Sequence, residues 1–325
     1  MEKPFTTLDE QINLLTDRGV TVNNIEDAKK KLLKASYYRV INGYAKYIQS
    51  SNVFIDGATF EDIFQIYVFD KKIKNVFFQY ILKTECILKS YITYIFSKNH
   101  KEKYSYLQPN NFSDEDIFAT SELNLKLARV IKNKSKNRNG NIYHYITHHD
   151  YVPFWVLVNH LDFGTIENFY KLMLPQEKNE VAKLFSDYFF SNYNRRIFIT
   201  PEEIESFVFL IREARNVVAH DERLMGFKCR KHAKYLTVVH NDVFGINSNS
   251  ARNNVFNLYM IMHIFLDNGE YYRLTNILDK TISKAGKQIK CIDVKKLLDT
   301  YGIPEGYDFM KMFNRKIKEH CTKNK

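Results

Sequence analysis

At 325 residues and 45% hydrophobic content, the chain can bury one large core or two smaller ones and is not disordered as a whole. Its 48 Lys and Arg against 37 Asp and Glu give a formal net charge of +11, a field that suits nucleic acid or an anionic surface, the plain alternative being a lysine-rich solvated exterior. Only 11 Gly and 6 Pro argue against a sandwich or barrel of many short strands, and four dispersed cysteines (Cys86, Cys229, Cys291, Cys321) argue against a zinc ribbon or disulfide framework.

From the amino end, Thr7-x-x-Glu10 fits a capping box, Leu8, Ile12 and Leu15 form one helical stripe, and Gly19 closes it. Asn24 caps a second helix through Leu33. An aromatic patch at 36–44 follows, with Arg39 and Tyr44 expected to pack the N-terminal unit (1–50) onto the rest. Two short helices also allow a helix-turn-helix reading, but such a pair is more often a packing unit. From Phe60 to Asn99 apolar residues recur at helical spacing with no Gly or Pro, which predicts one long helix or two in tandem. Asp70 lies in that repeat, where it is expected to cap or pair.

Residues 124–141 change character. Lys126, Arg129, Lys132, Lys134, Lys136 and Arg138 occur without an acid, and Asn and Gly dominate the end. A helix running into a flexible basic loop is expected, either solvated or touching an RNA backbone. His144, His148, His149 and Asp150 follow, with metal-ligand types at i,i+4, although a metal is not the expectation. Trp155, Leu157, Val158 and Leu161 are spaced for a buried helix that Gly164 ends, and 184–190 suggests another short one.

Thr200-Pro201-Glu202-Glu203 is a clear helix start: Thr caps, Pro suits the first position and Glu203 completes the box. Ile204, Phe207, Val208, Ile211, Ala214 and Val218 form its core stripe. A basic stretch (Lys228, Arg230, Lys231, His232, Lys234), a polar loop near 241–254 and an apolar helix at 255–267 come next. The expected division is an N-terminal unit at 1–50, a helical domain at 56–270 and a lysine-rich extension at 271–325. The start lacks the apolar stretch of a signal peptide, and no run approaches the ~18 apolar residues of a membrane span. A cytoplasmic protein is the expectation.

The chemistry-bearing segment is Arg215-Asn216-Val217-Val218-Ala219-His220. An imidazole moves protons near neutral pH, and a guanidinium forks onto a phosphate. The spacing alone is weak, because roughly 1.2 such pairs are expected by chance. Arg138 with His144 and Arg315 with His320 also satisfy it. Only Arg215 and His220 follow a capped, apolar-striped helix. Arg215 falls back onto that stripe, a costly place for a charge unless it is paired or used. His220 would lie about 140° around the helix if the helix persisted, so either the helix ends near Ala219 or the groups converge across an interface. The competing reading pairs Arg215 with a buried acid and has His220 capping the helix C-terminus.

Four stretches together resemble the bacterial abortive-infection (Abi-like, AbiD/AbiF-type) family: DEQINLLTDRGVTVNNIEDAKKKLLKASYYRVINGY near the start, FDKKIKNVFF at 69–78, VPFWVLVNHLDFGTIENFY at 152–170 and RNVVAHDERL at 215–224. They run in the family's order over about residues 5–225. The resemblance implies an all-α, HEPN-like helical bundle with an N-terminal helical unit and a C-terminal extension. It further implies a metal-independent ribonuclease in which Arg215, Asn216 and His220 match the family motif, shared between two subunits of a homodimer. RNA would be the substrate, and a small non-coding RNA a restraining partner. No cofactor and no membrane contact are implied. Lys132, Lys134, Lys136 and Arg138, together with Arg223, Lys228, Arg230 and Lys231, are the expected RNA-binding positions. A non-catalytic RNA-binding protein of the same fold is the alternative, and a helical protein scaffold a third.

Overall fold

The computed structural model describes residues 4–50 and 53–309, so the Arg315 and His320 pair and Cys321 lie outside the described residues. The opening helices form as their caps predict. α1 (Leu8–Asp17) has the Thr7/Glu10 capping box, and Gly19 turns the chain at φ 88°. α2 (Ile25–Ala35) is capped by Asn24 and packs on α1. A π-helical turn (Tyr38–Asn42), a short 3-10 turn and a two-residue antiparallel pairing (Gln49 with Phe54, Ser50 with Val53) lead into the main helix.

That helix, α3, runs unbroken from Phe60 to Asn99. Forty residues span about 60 Å at 1.5 Å each. Thr59 and Asp62 form its capping box. Its buried stripe includes Ile63, Ile66, Ile73, Phe77, Ile81, Leu88, Ile92 and Phe96, and α8, α9 and α11 all pack against it.

α4 (Ile117–Lys134) and α5 (Asn141–His149) are joined by a tight turn in which Gly140 N–H donates to the Asn137 carbonyl at 2.9 Å. The basic loop is therefore a compact reversal. α6 is only Phe154–Leu157, followed by a 3-10 turn to His160. Two expectations fail here. Trp155 is 53% exposed rather than buried, and Gly164 opens α7 (Phe163–Leu172), which Asp162 caps, instead of closing a helix. Periodicity carried the pattern across a break made by the Asp162 cap. α8 is longer than expected, Pro175–Tyr193.

α9 (Pro201–Ala219) has the capping box Thr200/Glu203 and Pro at its start. Ile204, Phe207, Val208, Leu210, Ile211 and Ala214 are buried against α3, α7, α8 and α10. α10 (Val255–Phe265) is apolar on all sides and buried throughout, the signature of a helix surrounded by others. α11 (Asn268–Gln288) lies along α3 in the most extensive helix pairing of the fold, and α12 (Val294–Asp299) packs on α11. The described part of 271–325 is thus built into the bundle. One apolar core runs from Ile12 to Phe309. Among the described residues, no helix is long and apolar enough to cross a membrane.

Candidate functional site at the end of α9

α9 stops where the candidate chemistry begins. His220 is its C-cap residue, at φ −88° and ψ 8°. The N–H of Glu222 donates to the Val217 carbonyl at 3.0 Å, and that of Asp221 to the Val218 carbonyl at 3.3 Å. These two bonds make a Schellman motif, which needs a left-handed residue just past the cap. Glycine usually fills that place; here it is Asp221, at φ 55°. Aspartate tolerates the conformation better than most residues but still at some cost. The ion pairs of its carboxylate offset that cost. Asp221 accepts from Lys74 Nζ at 2.6 Å and Arg39 Nη1 at 3.0 Å, with Lys71 Nζ at 3.8 Å. Lys74 also donates to the Asp221 carbonyl at 3.2 Å. Partial burial works against the charge, but the Lys74 hydrogen bond and the three cations hold the carboxyl below its usual range.

The next residues are clamped as firmly. Asp70, fully buried on α3, accepts the backbone N–H groups of Leu224 (3.1 Å) and Met225 (2.9 Å). It also accepts the hydroxyls of Tyr44 (2.6 Å) and Tyr301 (2.7 Å). Burial pushes the Asp70 carboxyl up, and the two hydroxyls, Lys74 and the Leu224 N–H pull it back. Four donors on two oxygens saturate the group. Arg223 donates to the carbonyls of Gly43 and Met225 and lies over the Tyr47 ring. The Tyr47 hydroxyl donates to the Met225 carbonyl at 3.0 Å. Asp70, Arg39 and Tyr44 therefore pair and pack as the sequence suggested, and the clamp joins three parts of the chain distant in sequence.

His220 stands exposed at the tip of this loop. Arg215, one turn back, is half-buried, and its Nε is buried with no hydrogen-bond partner among the described residues. No carboxylate pairs with Arg215, so the competing reading of an internal ion pair is not what the fold adopts. Its neighbour Arg212 takes that role, bound to the buried Glu167 and to Glu213. Asn216 is half-buried on the same turn as Arg215, and its carbonyl accepts the His220 N–H at 3.1 Å.

The expected RNA-binding residues fall into three settings. Arg223 is engaged inside the clamp. Arg230 forks onto Glu213 at 3.0 and 3.1 Å, and Arg230 and Lys231 lie 5.6 and 5.5 Å from the Phe209 ring, folded back along the outer face of α9. Lys228 is exposed between them and the clamp. Lys132, Lys134, Lys136 and Arg138 are exposed at the end of α4 and in its turn, away from the clamp around His220. The His144, His148 and His149 rings approach each other at 4.7–5.7 Å, yet among the described residues no group of three or more His, Cys, Asp or Glu is placed to hold a metal.

Sequence reasoning missed Lys74 and Asp221 as the pair that fixes the loop. A signal was present: Asp70 and Lys74 are charges at i,i+4 on the buried stripe of α3, and buried charges need partners.

Fold and loop together define an all-helical protein that presents an arginine and a histidine at a clamped helix end. The chain belongs to the Abi-like protein family, whose model matches residues 30–226, more than half of its length. The match begins within α2 and stops at Gly226, just past the clamp, so it takes in α3 through α9 and the loop that carries His220. Membership suggests a role in abortive infection. No curated protein and no solved structure matches the chain.

Proposed function

We propose that this protein is a metal-independent endoribonuclease of the HEPN type that acts in abortive infection as a homodimer. The observation that carries the reading is the state of Arg215. A guanidinium half-sunk in a helical bundle, with a buried N–H unpaired, is an unfinished interaction. It sits five residues before an exposed imidazole, in a chain of net charge +11. An RNA phosphate satisfies the guanidinium bidentately and delivers its ribose to the histidine.

The chemistry follows from those groups. One His220 removes the proton of the ribose 2′-OH, worth about 10²–10⁴ in rate. The 2′-oxygen attacks phosphorus and the bond to the 5′-oxygen breaks. That oxygen takes its proton from a second imidazole, which a symmetric partner supplies. Arg215 stabilises the charge gathering on the phosphoryl oxygens. Asn216, beside it, orients the phosphate or the imidazole. Cleavage leaves a 2′,3′-cyclic phosphate and a 5′-hydroxyl, and DNA, lacking the nucleophile, is untouched. Restraint by a small non-coding RNA suits the same surface.

The deciding measurement is end-group analysis of RNA incubated with purified protein. Cyclic phosphate ends are expected with the native chain and absent with His220→Ala, whose exposed site leaves the fold intact. Retention of full cleavage by the variant would remove the catalytic assignment. Bound but uncut RNA would point to a non-catalytic RNA-binding protein instead.

A further inference from the structure

A groove of about 600 Å³ opens on the far half of α3, between that helix and the α6 turn. One stripe of α3 forms its floor: Cys86, Ser90, Thr93, Tyr94 and Ser97, at three- and four-residue spacing. Trp155 forms the opposite wall. Tyr94 is 63% and Trp155 53% exposed, an unusual outlay of aromatic surface for a bundle that buries its other large rings so thoroughly. Between them, the hydroxyls of Thr93 and Ser97 are buried without a hydrogen-bond partner among the described residues. Thr93 is 5% exposed, so water satisfies it poorly.

The groove has a basic border. His160 closes the 3-10 turn that follows Trp155, and burial, with the nearby charge of Lys134, pulls its imidazole below the usual range. The end of α4 therefore lies beside the groove wall, and with it the exposed Lys132, Lys136 and Arg138. Lys89 and Lys98 line the groove itself, each paired to a glutamate. Aromatic faces for bases, unpaired hydroxyls for base edges and a cationic rim for phosphates make up a platform for single-stranded nucleic acid. On the α3 axis, Tyr94 is twenty residues from Lys74 in the clamp, about 30 Å.

We propose that the groove between α3 and α6 is a second RNA subsite, in which Trp155 and Tyr94 stack unpaired bases of a strand whose phosphates run along the basic turn after α4. This deepens the ribonuclease reading and rests on it for the identity of the ligand. A base held here anchors the strand remotely from His220, so the subsite favours substrates or restraining RNAs with a single-stranded segment long enough to reach both places. It contributes binding and leaves the bond-breaking step to α9.

Trp155 is the only tryptophan of the chain, so its fluorescence reports this groove alone. Titration with a 2′-O-methyl oligonucleotide, which binds but cannot be cut, is expected to quench it and to slow maleimide labelling of the exposed Cys86. Trp155→Ala and Tyr94→Ala, both at exposed positions, are each expected to weaken oligonucleotide binding roughly 5- to 100-fold, the range for loss of one stacked base. With a cleavable strand, KM should rise by a similar factor while kcat holds. If the oligonucleotide binds with unchanged Trp155 emission, or if both variants bind as the native chain does, the subsite is overturned while the ribonuclease reading stands. Quenching by an oligonucleotide in a protein that never cuts RNA would leave the subsite and overturn the catalytic reading. Quenching by polypeptides but by no nucleic acid would overturn the subsite in favour of a protein-docking groove.

Discussion

Asp221 occupies the one place after α9 where glycine is conformationally easiest, and its carboxylate explains the exception. It ties the loop to Lys74, which is 4% exposed and has no other acid recorded as partner. Asp221→Asn keeps the tolerance for a left-handed backbone but removes the counter-charge. The expected cost is on the order of 1–3 kcal/mol in denaturant unfolding, the scale for a charged hydrogen bond whose buried partner is orphaned. The sign of the pH dependence is fixed by the depressed carboxyl. Its contribution is present above the unfolded value of about 3.9 and is lost as pH falls through the lower folded value. The native chain should therefore lose stability below about pH 4 more steeply than Asp221→Asn. Equal acid slopes for the two proteins would show that the ion pair does not hold the loop. Cleavage should also fall in the variant, because His220 is the adjacent residue and rides on the same turn.

At the scale of elements, α3 is the spine that brings the site together. It presents Asp70 and Lys74 on adjacent turns toward the loop after α9, and the same carboxylate takes hydroxyls from Tyr44 before α3 and Tyr301 after α12. Asp70→Ala would strand two buried hydroxyls and two backbone N–H groups. At about 1–3 kcal/mol for each unsatisfied group, a loss of at least about 3 kcal/mol is expected, read as a lower denaturant midpoint. Hydrogen exchange at Leu224 and Met225 should speed in proportion. A variant as stable as the native chain would mean that apolar packing alone fixes this junction. The helix starts were legible because they depend on neighbours: the boxes at Thr7 and Thr200 form where the sequence placed them, and so does the uninterrupted α3. The break before α7 was not legible. Its cap, Asp162, sits inside an apolar pattern that reads continuously through it.

Across the molecule, the positive charge is not spread evenly between used and unused groups. Arg212, Arg223 and Arg230 are held by internal partners, whereas Lys132, Lys134, Lys136 and Arg138 stand exposed, with no ion pair recorded among the described residues. The free group is therefore the stronger source of phosphate contacts. Replacing Lys132, Lys134 and Lys136 by Gln should flatten the dependence of log affinity on log salt by about 2, at roughly 0.7 for each phosphate contact on a single strand. The fold should be unaffected, since these positions lie on an exposed turn. An unchanged salt slope would place the RNA path elsewhere.

Local rules sufficed for much of this protein. Helical periodicity, caps and the scarcity of Gly and Pro determine an all-helical chain, and the end of α9 at His220 follows from the box that starts it and the Schellman turn that stops it. What they could not decide is which charges are spent within the fold. Arg212, Arg215, Arg223 and Arg230 look alike in one dimension, because the partner of a side chain is set by what other segments bring within about 4 Å. Only the packing of α7, the loop at Gly43 and the far end of α3 around α9 satisfies three of those guanidinium groups, and leaves Arg215 with an N–H still to be met.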